Sequence, residues 1–203
     1  MIDRERIKAK FGADYSADER SYRMGLDVRF ADHIAERFRG RVVLETCTGG
    51  GFTTIALART AAHVFSVEID LERQLEAKRN AATAGVSSAV TFIRSDIFDL
   101  DIGALGRRVN AALIDPDWAD TGADHVYRFT DSTTQPPSDW ILDYLADYTE
   151  NITLVQPPFI SEREFEHLLP HELEKLYLSG NHELYCLHFG DLLRTRGPTE
   201  FRV

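Results

Sequence analysis

The feature that most constrains this chain is the alternation of short apolar runs with stretches of helical character. Segments such as VVL, VFSV and AALI carry no charge and are rich in apolar residues. Continuous apolar runs of this length are typical of strands buried on both faces of a sheet. Strands that alternate with helices predict βαβ units, and therefore an α/β fold with a parallel sheet. The predicted strands occupy residues 41–45, 63–70, 89–96, 109–118 and 151–159, and the predicted helices between them occupy 53–60 and 71–85.

The two ends of the chain have a different character. The first 40 residues read as helical, and the segment VRFADHIAERF places its apolar side chains near helical spacing. We therefore predict a helical N-terminal extension, residues 1–40, followed by one domain, residues 41–203. Further along, residues 161–170 read as a helical segment that Pro170 interrupts, and residues 172–179 and 182–190 read as the last strands.

Composition and charge limit the partners that the chain can have. It carries 33 acidic and 23 basic residues, a net charge of −10, which disfavours a broad surface for polyanions because like charges repel. Any nucleic acid would then contact the N-terminal segment or the tail that holds Arg194, Arg196 and Arg202. No apolar run approaches the roughly 20 residues that span a bilayer, and two cysteines are too few for a disulfide framework or a Cys-rich zinc site. We expect a cytoplasmic protein that contacts no membrane and binds no metal.

A glycine-rich segment, E-T-C-T-G-G-G-F-T-T at residues 45–54, follows the first strand and opens a helix. Glycines let the backbone turn sharply and approach a ligand, and the helix N-terminus behind them offers free N–H groups. Gly49 and Gly51 fit the dinucleotide pattern G-x-G-x-x-G, but Thr54 stands at its third glycine. Glu45 instead completes acid-x-x-x-G-x-G, the first motif of class I methyltransferases that use S-adenosyl-L-methionine (AdoMet). A nicotinamide or flavin cofactor and a plain structural turn remain alternatives.

The ends of the next two strands carry further polar groups. A carboxylate at Glu68 can accept both hydroxyls of a ribose, and Asp96 with Ile97 can hold the edge and the face of an adenine. A carboxylate beside the glycines suits the cationic amino acid end of AdoMet and would repel a pyrophosphate. The predicted cofactor is therefore S-adenosyl-L-methionine. The predicted cofactor-binding residues are Glu45, Thr48, Gly49, Gly51, Thr53, Glu68, Asp96 and Ile97.

The fourth strand ends in the tetrapeptide Asp115-Pro116-Asp117-Trp118. It is similar to the [D/N/S]-P-P-[Y/F/W] motif of methyltransferases that act on amino nitrogens of nucleobases. In that motif the first side chain and the proline carbonyl accept hydrogen bonds from the amine, which aims its lone pair at the methyl group, and the aromatic residue stacks on the base. Asp115, Pro116 and Trp118 are the predicted catalytic residues. Asp117 at the third position removes some backbone rigidity and adds a second charge, which should raise one carboxyl pKa.

Other interpretations of this region stay open. The tetrapeptide can be a strand-end turn with a capping Asp and a packed Trp, and Asp115, Asp117 and Asp120 can hold a divalent metal. The segment Gln156-Pro157-Pro158-Phe159 resembles the same tetrapeptide, but it ends the fifth strand and is either a wall of the site or a plain turn.

The motifs together resemble the trimethylguanosine synthase family, the RNA cap guanine-N2 methyltransferases, over roughly residues 28–196. ETCTGGGFTT, VFSVEID and VTFIRSDIFDL are similar to its first three motifs, the helix with Arg79-Asn80-Ala81 belongs to the second of these, and HFGDLLR is similar to its closing segment. DPDW falls where the family has S-P-P-W. The resemblance implies a Rossmann-like class I methyltransferase fold: a seven-stranded, mostly parallel sheet with the last strand antiparallel and helices on both faces. It also implies that Trp118 stacks on the target guanine, while Asp115 and Pro116 cradle its amine.

The predicted function is AdoMet-dependent N-methylation, with the exocyclic amine of guanine in RNA as the expected acceptor. The N-terminal segment, with Tyr15, Arg20 and Tyr22 as candidates, is expected to help close the site. The acidic charge favours a small-molecule or protein methyltransferase as an alternative. Asp117 favours a second alternative, a binding protein with an AdoMet fold and no catalysis.

Overall fold

The computed structural model describes residues 2–118 and 126–203, and the chain divides into two compact units, Met1–Asn110 and Ala111–Val203. Helices and strands of the first unit follow one another in the order that the sequence predicts. They are α1 (Arg4–Phe11), α2 (Glu19–Met24), α3 (Val28–Ala35), β1 (Val42–Thr46), α4 (Phe52–Thr60), β2 (His63–Glu68), α5 (Leu71–Thr83) and β3 (Val90–Arg94).

Aspartate side chains cap four of these helices at their N-termini. Asp3, Asp18, Asp27 and Asp70 each accept a backbone N–H of the first turn of α1, α2, α3 and α5 in that order. Such caps satisfy donors that a helix start leaves unpaired. The helical character of the N-terminal segment is confirmed by α1, α2 and α3, and the domain boundary at residue 40 stays a prediction.

The three strands of the first unit form a parallel sheet in the order β3-β2-β1. β2 is buried along its whole length, as the nearly continuous apolar segment VFSV predicts. Val43 lies opposite Val64, and Phe65 lies opposite Thr91. The carboxyl ends of the three strands therefore lie at one edge, where the glycine loop, Glu68 and Asp96 follow them.

The second unit contains five strands and one α-helix in its described part. They are β4 (Ala111–Ile114), α6 (Ser138–Ala146), β5 (Ile152–Gln156), β6 (His171–Leu178), β7 (Asn181–Phe189) and β8 (Gly197–Arg202), with the strands in the order β4-β5-β7-β6-β8. β4 and β5 are parallel, β7 is antiparallel to β5 and β6, and β8 is parallel to β6.

The described chain has eight strands, one more than the seven expected. The seventh strand is the antiparallel one, as expected, but the last strand in the chain is β8, which runs parallel to its neighbour β6. The sequence of β8, GPTEFR, has no apolar run, and none of its residues is buried. The strand is defined by its pairing with β6, so the hydrophobic pattern of the sequence does not predict it. The Glu172 carboxylate of β6 stabilises that pairing, because it accepts hydrogen bonds from the backbone N–H of Arg194 and from the hydroxyl of Thr199 on β8.

Two helical assignments also differ from expectation. Residues 161–170 form only a short 3-10 turn, Glu162–Phe165, ahead of Pro170. The helix α6 was not singled out from the sequence, although Ile141, Leu142 and Leu145 form its buried side. None of the described helices is long and apolar enough to cross a membrane.

Candidate functional site

The loop between β1 and α4 needs glycine at two positions for different reasons. Gly51 has a φ of +78°, and a Cβ there would lie 2.8 Å from the Cβ of Ala77 on α5, so a side chain would push loop and helix apart. Gly49 has a φ of +54°, a backbone conformation that favours glycine because other residues rarely adopt it. A Cβ added there would meet no clash, since its nearest atom would be the Cys47 carbonyl oxygen at 3.9 Å. The backbone at Gly49 is therefore open enough for a ligand to approach.

Glu45 lies behind this loop, at the end of β1, and only 2% of its surface is exposed. Its Oε2 accepts hydrogen bonds from Thr54 Oγ1 at 2.5 Å and from Ser66 Oγ at 2.7 Å. Ser66 Oγ also lies 2.6 Å from Thr48 Oγ1. Three hydroxyl groups thus connect the buried carboxylate to both sides of the glycines, which makes Glu45 an organiser of the loop. Its direct contact with a cofactor stays a prediction.

Ser66 and Thr54 are the residues of this network that the sequence did not single out. Ser66 lies in the middle of the buried strand β2, and Thr54 stands where the dinucleotide pattern has its third glycine. A polar residue inside an otherwise apolar strand was the available signal, because a buried hydroxyl requires a partner. Thr53 is buried near the start of α4.

Glu68 and Gly49 are brought together directly. Glu68 Oε2 accepts the backbone N–H of Gly49 at 2.9 Å, and Glu68 Oε1 accepts that of Asp70 at 3.0 Å. Each carboxylate oxygen has a second lone pair, so this side chain can still accept two hydroxyl groups. The contact joins the two strand ends that the sequence assigned to a cofactor.

Asp96 follows β3 and caps a short 3-10 turn, Ile97–Asp99, by accepting the N–H of Phe98 on Oδ1. Asp96 is half-buried and Ile97 is buried, so the contact of Ile97 with an adenine stays a prediction. Ile69, directly after Glu68, exposes 62% of its surface. Glu68 pairs with Arg94, which places Ile69 at the same sheet edge as Asp96. No motif in the sequence marks this exposed apolar residue as part of a site.

The N-terminal segment is fastened to the glycine loop through Asn80 of α5, which is 1% exposed. Asn80 Oδ1 accepts the N–H of Ser16 at 2.8 Å, and Asn80 Nδ2 donates to the carbonyls of Ser16 and Gly50, both at 2.9 Å. Beside this bridge the ring of Phe52 stacks on that of Phe11, with centroids 3.6 Å apart. Tyr15 is buried against the same ring, so it secures the segment from inside.

The Asp115–Trp118 turn lies in the second unit, directly after β4. Burial disfavours the charged form of Asp115, and Asp117 repels it, so the pKa of Asp115 rises to about 7. Burial is the larger cause, and the repulsion by Asp117 acts in the direction that the sequence predicts. Pro116 is buried, and Trp118 is half-buried with an indole Nε1 that has no hydrogen-bond partner within residues 2–118 and 126–203.

Two further interpretations can be set against the structure. Within the described ranges no group of three or more His, Cys, Asp or Glu side chains could hold a metal ion, and Asp120 lies outside them. In the Q-P-P-F segment Gln156 is fully buried, whereas Phe159 is strongly exposed. Gln156 Nε2 donates to Ser138 Oγ and to the Val155 carbonyl, both at 2.7 Å, so this residue faces the interior and does not resemble the first residue of an acceptor turn.

Several solved structures of methyltransferases share this fold. The chain is similar to a methyltransferase from Porphyromonas gingivalis W83, with a TM-score of 0.75 and 17% identity over 92% of this chain and 47% of that one, so it spans about half the length of that protein. It is also similar to M. capricolum TrmK in complex with S-adenosyl-homocysteine, with a TM-score of 0.56 and 11% identity over 83% and 69% of the two chains. An rRNA methylase from Streptococcus thermophilus matches with a TM-score of 0.53 and 12% identity over 82% and 97%. At these identities the likeness shows the fold.

The family described as RNA cap guanine-N2 methyltransferase matches residues 40–154, more than half of the 203 residues. This range contains the glycine loop, Glu68, Asp96 and the Asp115–Trp118 turn. The expected Rossmann-like class I fold is confirmed, with one strand more than predicted. The chain therefore belongs to the RNA cap guanine-N2 methyltransferase family and has a class I methyltransferase fold.

Proposed function

We propose that this protein transfers a methyl group from AdoMet to the exocyclic amine of a guanine in RNA. The observation that carries the proposal is the Asp115-Pro116-Asp117-Trp118 turn at the end of β4, inside the range that matches the family. AdoMet supplies an electrophilic methyl group on a sulfonium. The chain has to hold that cofactor and to aim an amine at it.

Residues of the first unit fit the cofactor. Gly49 leaves room for close approach to the backbone, and Glu68 retains lone pairs for the two ribose hydroxyls. Asp96 uses Oδ1 for a backbone N–H, and the carboxylate has further acceptor capacity for an adenine amine. Exposed Ile69 is suited to cover one face of the adenine. The open backbone and the acceptor groups at one sheet edge support these roles.

Residues of the second unit suit a planar amine. The Asp115 carboxylate and the Pro116 carbonyl accept the two N–H groups, which keeps the nitrogen lone pair available for in-line displacement. Trp118 stacks on the base, a contact worth about 1–3 kcal/mol. After transfer the methylated amine is acidic. Asp115, whose pKa is about 7, can take its proton at neutral pH.

A second candidate is methylation of a small molecule or a protein, which the net charge of −10 favours because phosphates are repelled. The two candidates differ in where the methyl group ends. Purified protein is incubated with radiolabelled AdoMet and, in separate reactions, RNA with and without a 7-methylguanosine cap, ribosomal RNA, GTP, a metabolite pool and a protein pool.

Products from RNA are digested to nucleosides and identified by mass spectrometry. The proposal requires a methyl group on guanine N2 in at least one RNA. Label in metabolites or proteins alone supports the second candidate, and methylation of another RNA atom contradicts the assigned acceptor. AdoMet binding by calorimetry with no labelled product in any reaction favours a non-catalytic binding protein.

A further inference from the structure

Asp117 stands where the family tetrapeptide has its second proline, and its backbone makes a bridge that proline could not make. Asp117 N–H donates to the Gln135 carbonyl at 3.0 Å, and the Asp117 carbonyl accepts the Gln135 N–H at 2.9 Å. Proline fixes φ but has no N–H, so it would lose the first of these bonds. The Asp115–Trp118 turn is therefore held by hydrogen bonds to Gln135, which is distant in the sequence, whereas a proline would restrict the turn through its own ring.

The residues on either side of Gln135 are held by a chain of hydrogen bonds. Gln156 Nε2 donates to Ser138 Oγ at 2.7 Å, and Ser138 Oγ lies 2.8 Å from Thr134 Oγ1. Thr134 Oγ1 donates to the Pro136 carbonyl at 2.8 Å. The donors run in one direction, from the amide of Gln156 through the two hydroxyls to the backbone on the far side of Gln135. The segment that pairs with Asp117 is thereby anchored to the end of β5.

Gln156 is an unusual residue for the position that it occupies. It ends a strand that is buried throughout, and its own side chain is 0% exposed. Its Oε1 has no hydrogen-bond partner in the described part of the chain. A side chain that served the core alone would be apolar, because a partly satisfied buried amide is costly. The hydrogen bond from Gln156 to Ser138 is therefore the feature that accounts for a glutamine at this position.

We propose that Gln156, Ser138 and Thr134 form a positioning relay that holds Asp117 through Gln135 and so sets the acceptor pair Asp115 and Pro116 in place. The inference rests on the proposed function of that pair and adds three positioning residues to it. It also explains the replacement of proline by Asp117: the relay supplies the rigidity, and it requires a residue with an N–H.

Thr134→Val tests the relay, because it keeps the shape of the side chain and removes its hydroxyl. Thr134→Ser keeps the hydroxyl and is the conservative rescue. Thr149→Val is the matched control, since it removes a hydroxyl from the loop before β5, where Thr149 accepts the Asn151 N–H. Three quantities are measured: hydrogen exchange of the Asp117 amide by NMR, kcat for an RNA that the wild-type protein methylates, and AdoMet affinity by calorimetry.

Thr134→Val should speed exchange of the Asp117 amide at least about tenfold and lower kcat by about tenfold, with AdoMet affinity within about twofold of the unchanged protein. Thr134→Ser should recover most of both, and Thr149→Val should change neither. Unchanged exchange and unchanged kcat in Thr134→Val overturn the relay, as does an equal loss in Thr149→Val.

A second pair of variants decides the matter if Thr134→Val does not fold. Asp117→Pro restores the family residue but removes the N–H, whereas Asp117→Asn keeps it. The relay predicts that Asp117→Pro has a kcat at least about tenfold below that of Asp117→Asn. An equal or higher kcat in Asp117→Pro overturns it. If wild-type protein methylates no RNA, the proposed function fails, while Asp117 exchange in Thr134→Val still accepts or rejects the relay.

Discussion

The bridge made by Asn80 leads to a prediction about AdoMet affinity. Asn80→Ala removes three hydrogen bonds, two to the backbone of Ser16 and one to the carbonyl of Gly50. A hydrogen bond contributes about 0.5–1.5 kcal/mol net, so the variant should lose about 1.5–4.5 kcal/mol of stability. Only the bond to Gly50 acts on the loop directly.

The loss at Gly50 can be expressed as a change in affinity. If the loop bond contributes about 1.4 kcal/mol to keeping the loop in its binding conformation, its loss lowers the equilibrium constant for that conformation about tenfold, and the apparent Kd for AdoMet rises by up to the same factor. The free N-terminal segment should also become sensitive to limited proteolysis near Ser16, because both of its bonds to Asn80 are gone.

Asn110→Ala is the matched control. Asn110 Oδ1 accepts the Val42 N–H at 2.9 Å, at the start of β1 and away from the glycines. Both variants should lower the unfolding temperature, but only Asn80→Ala should raise the Kd measured by calorimetry. A Kd in Asn80→Ala within twofold of wild type, or the same rise in Asn110→Ala, would refute the reasoning.

Three more predictions follow from the site. Trp118→Ala should abolish turnover yet leave AdoMet affinity nearly unchanged, whereas Trp140→Ala, at an exposed position, should affect neither. The RNA methylation assay measures turnover, and calorimetry measures AdoMet affinity. A collapse of AdoMet affinity in Trp118→Ala would contradict the role of Trp118 in stacking on the base. Because the folded pKa of Asp115, about 7, lies above its ordinary value of 3.8, the folded state binds this proton more tightly. The free energy of unfolding should therefore fall as pH rises from about 4 to about 7, and kcat should rise through about pH 7 as Asp115 loses its proton. Asp117→Asn should move both transitions to lower pH. A kcat profile that does not move would speak against repulsion between Asp115 and Asp117. Glu68→Gln keeps one acceptor oxygen where two are used, and should weaken AdoMet binding about tenfold by calorimetry; unchanged binding would remove Glu68 from the cofactor site.

The order of the elements could be predicted from the sequence because it is written in local patterns. The apolar segments VFSV and AALI predict β2 and β4, and the glycines at positions 49 and 51 predict the turn between β1 and α4. The prediction failed where local pattern is weak. β8 has alternating partly exposed residues and forms only by pairing with β6.

The sequence by itself determined the class of fold and the positions along the chain that carry polar groups at strand ends, since both depend on residues close together in the chain. Only the tertiary structure decided which groups meet. It joined Gly49 to Glu68, buried Glu45 among hydroxyls of α4 and β2, and paired Asp117 with Gln135. The physical reason is that Ser16 and Asn80, 64 positions apart, satisfy each other's hydrogen-bonding groups only after the chain between them has packed.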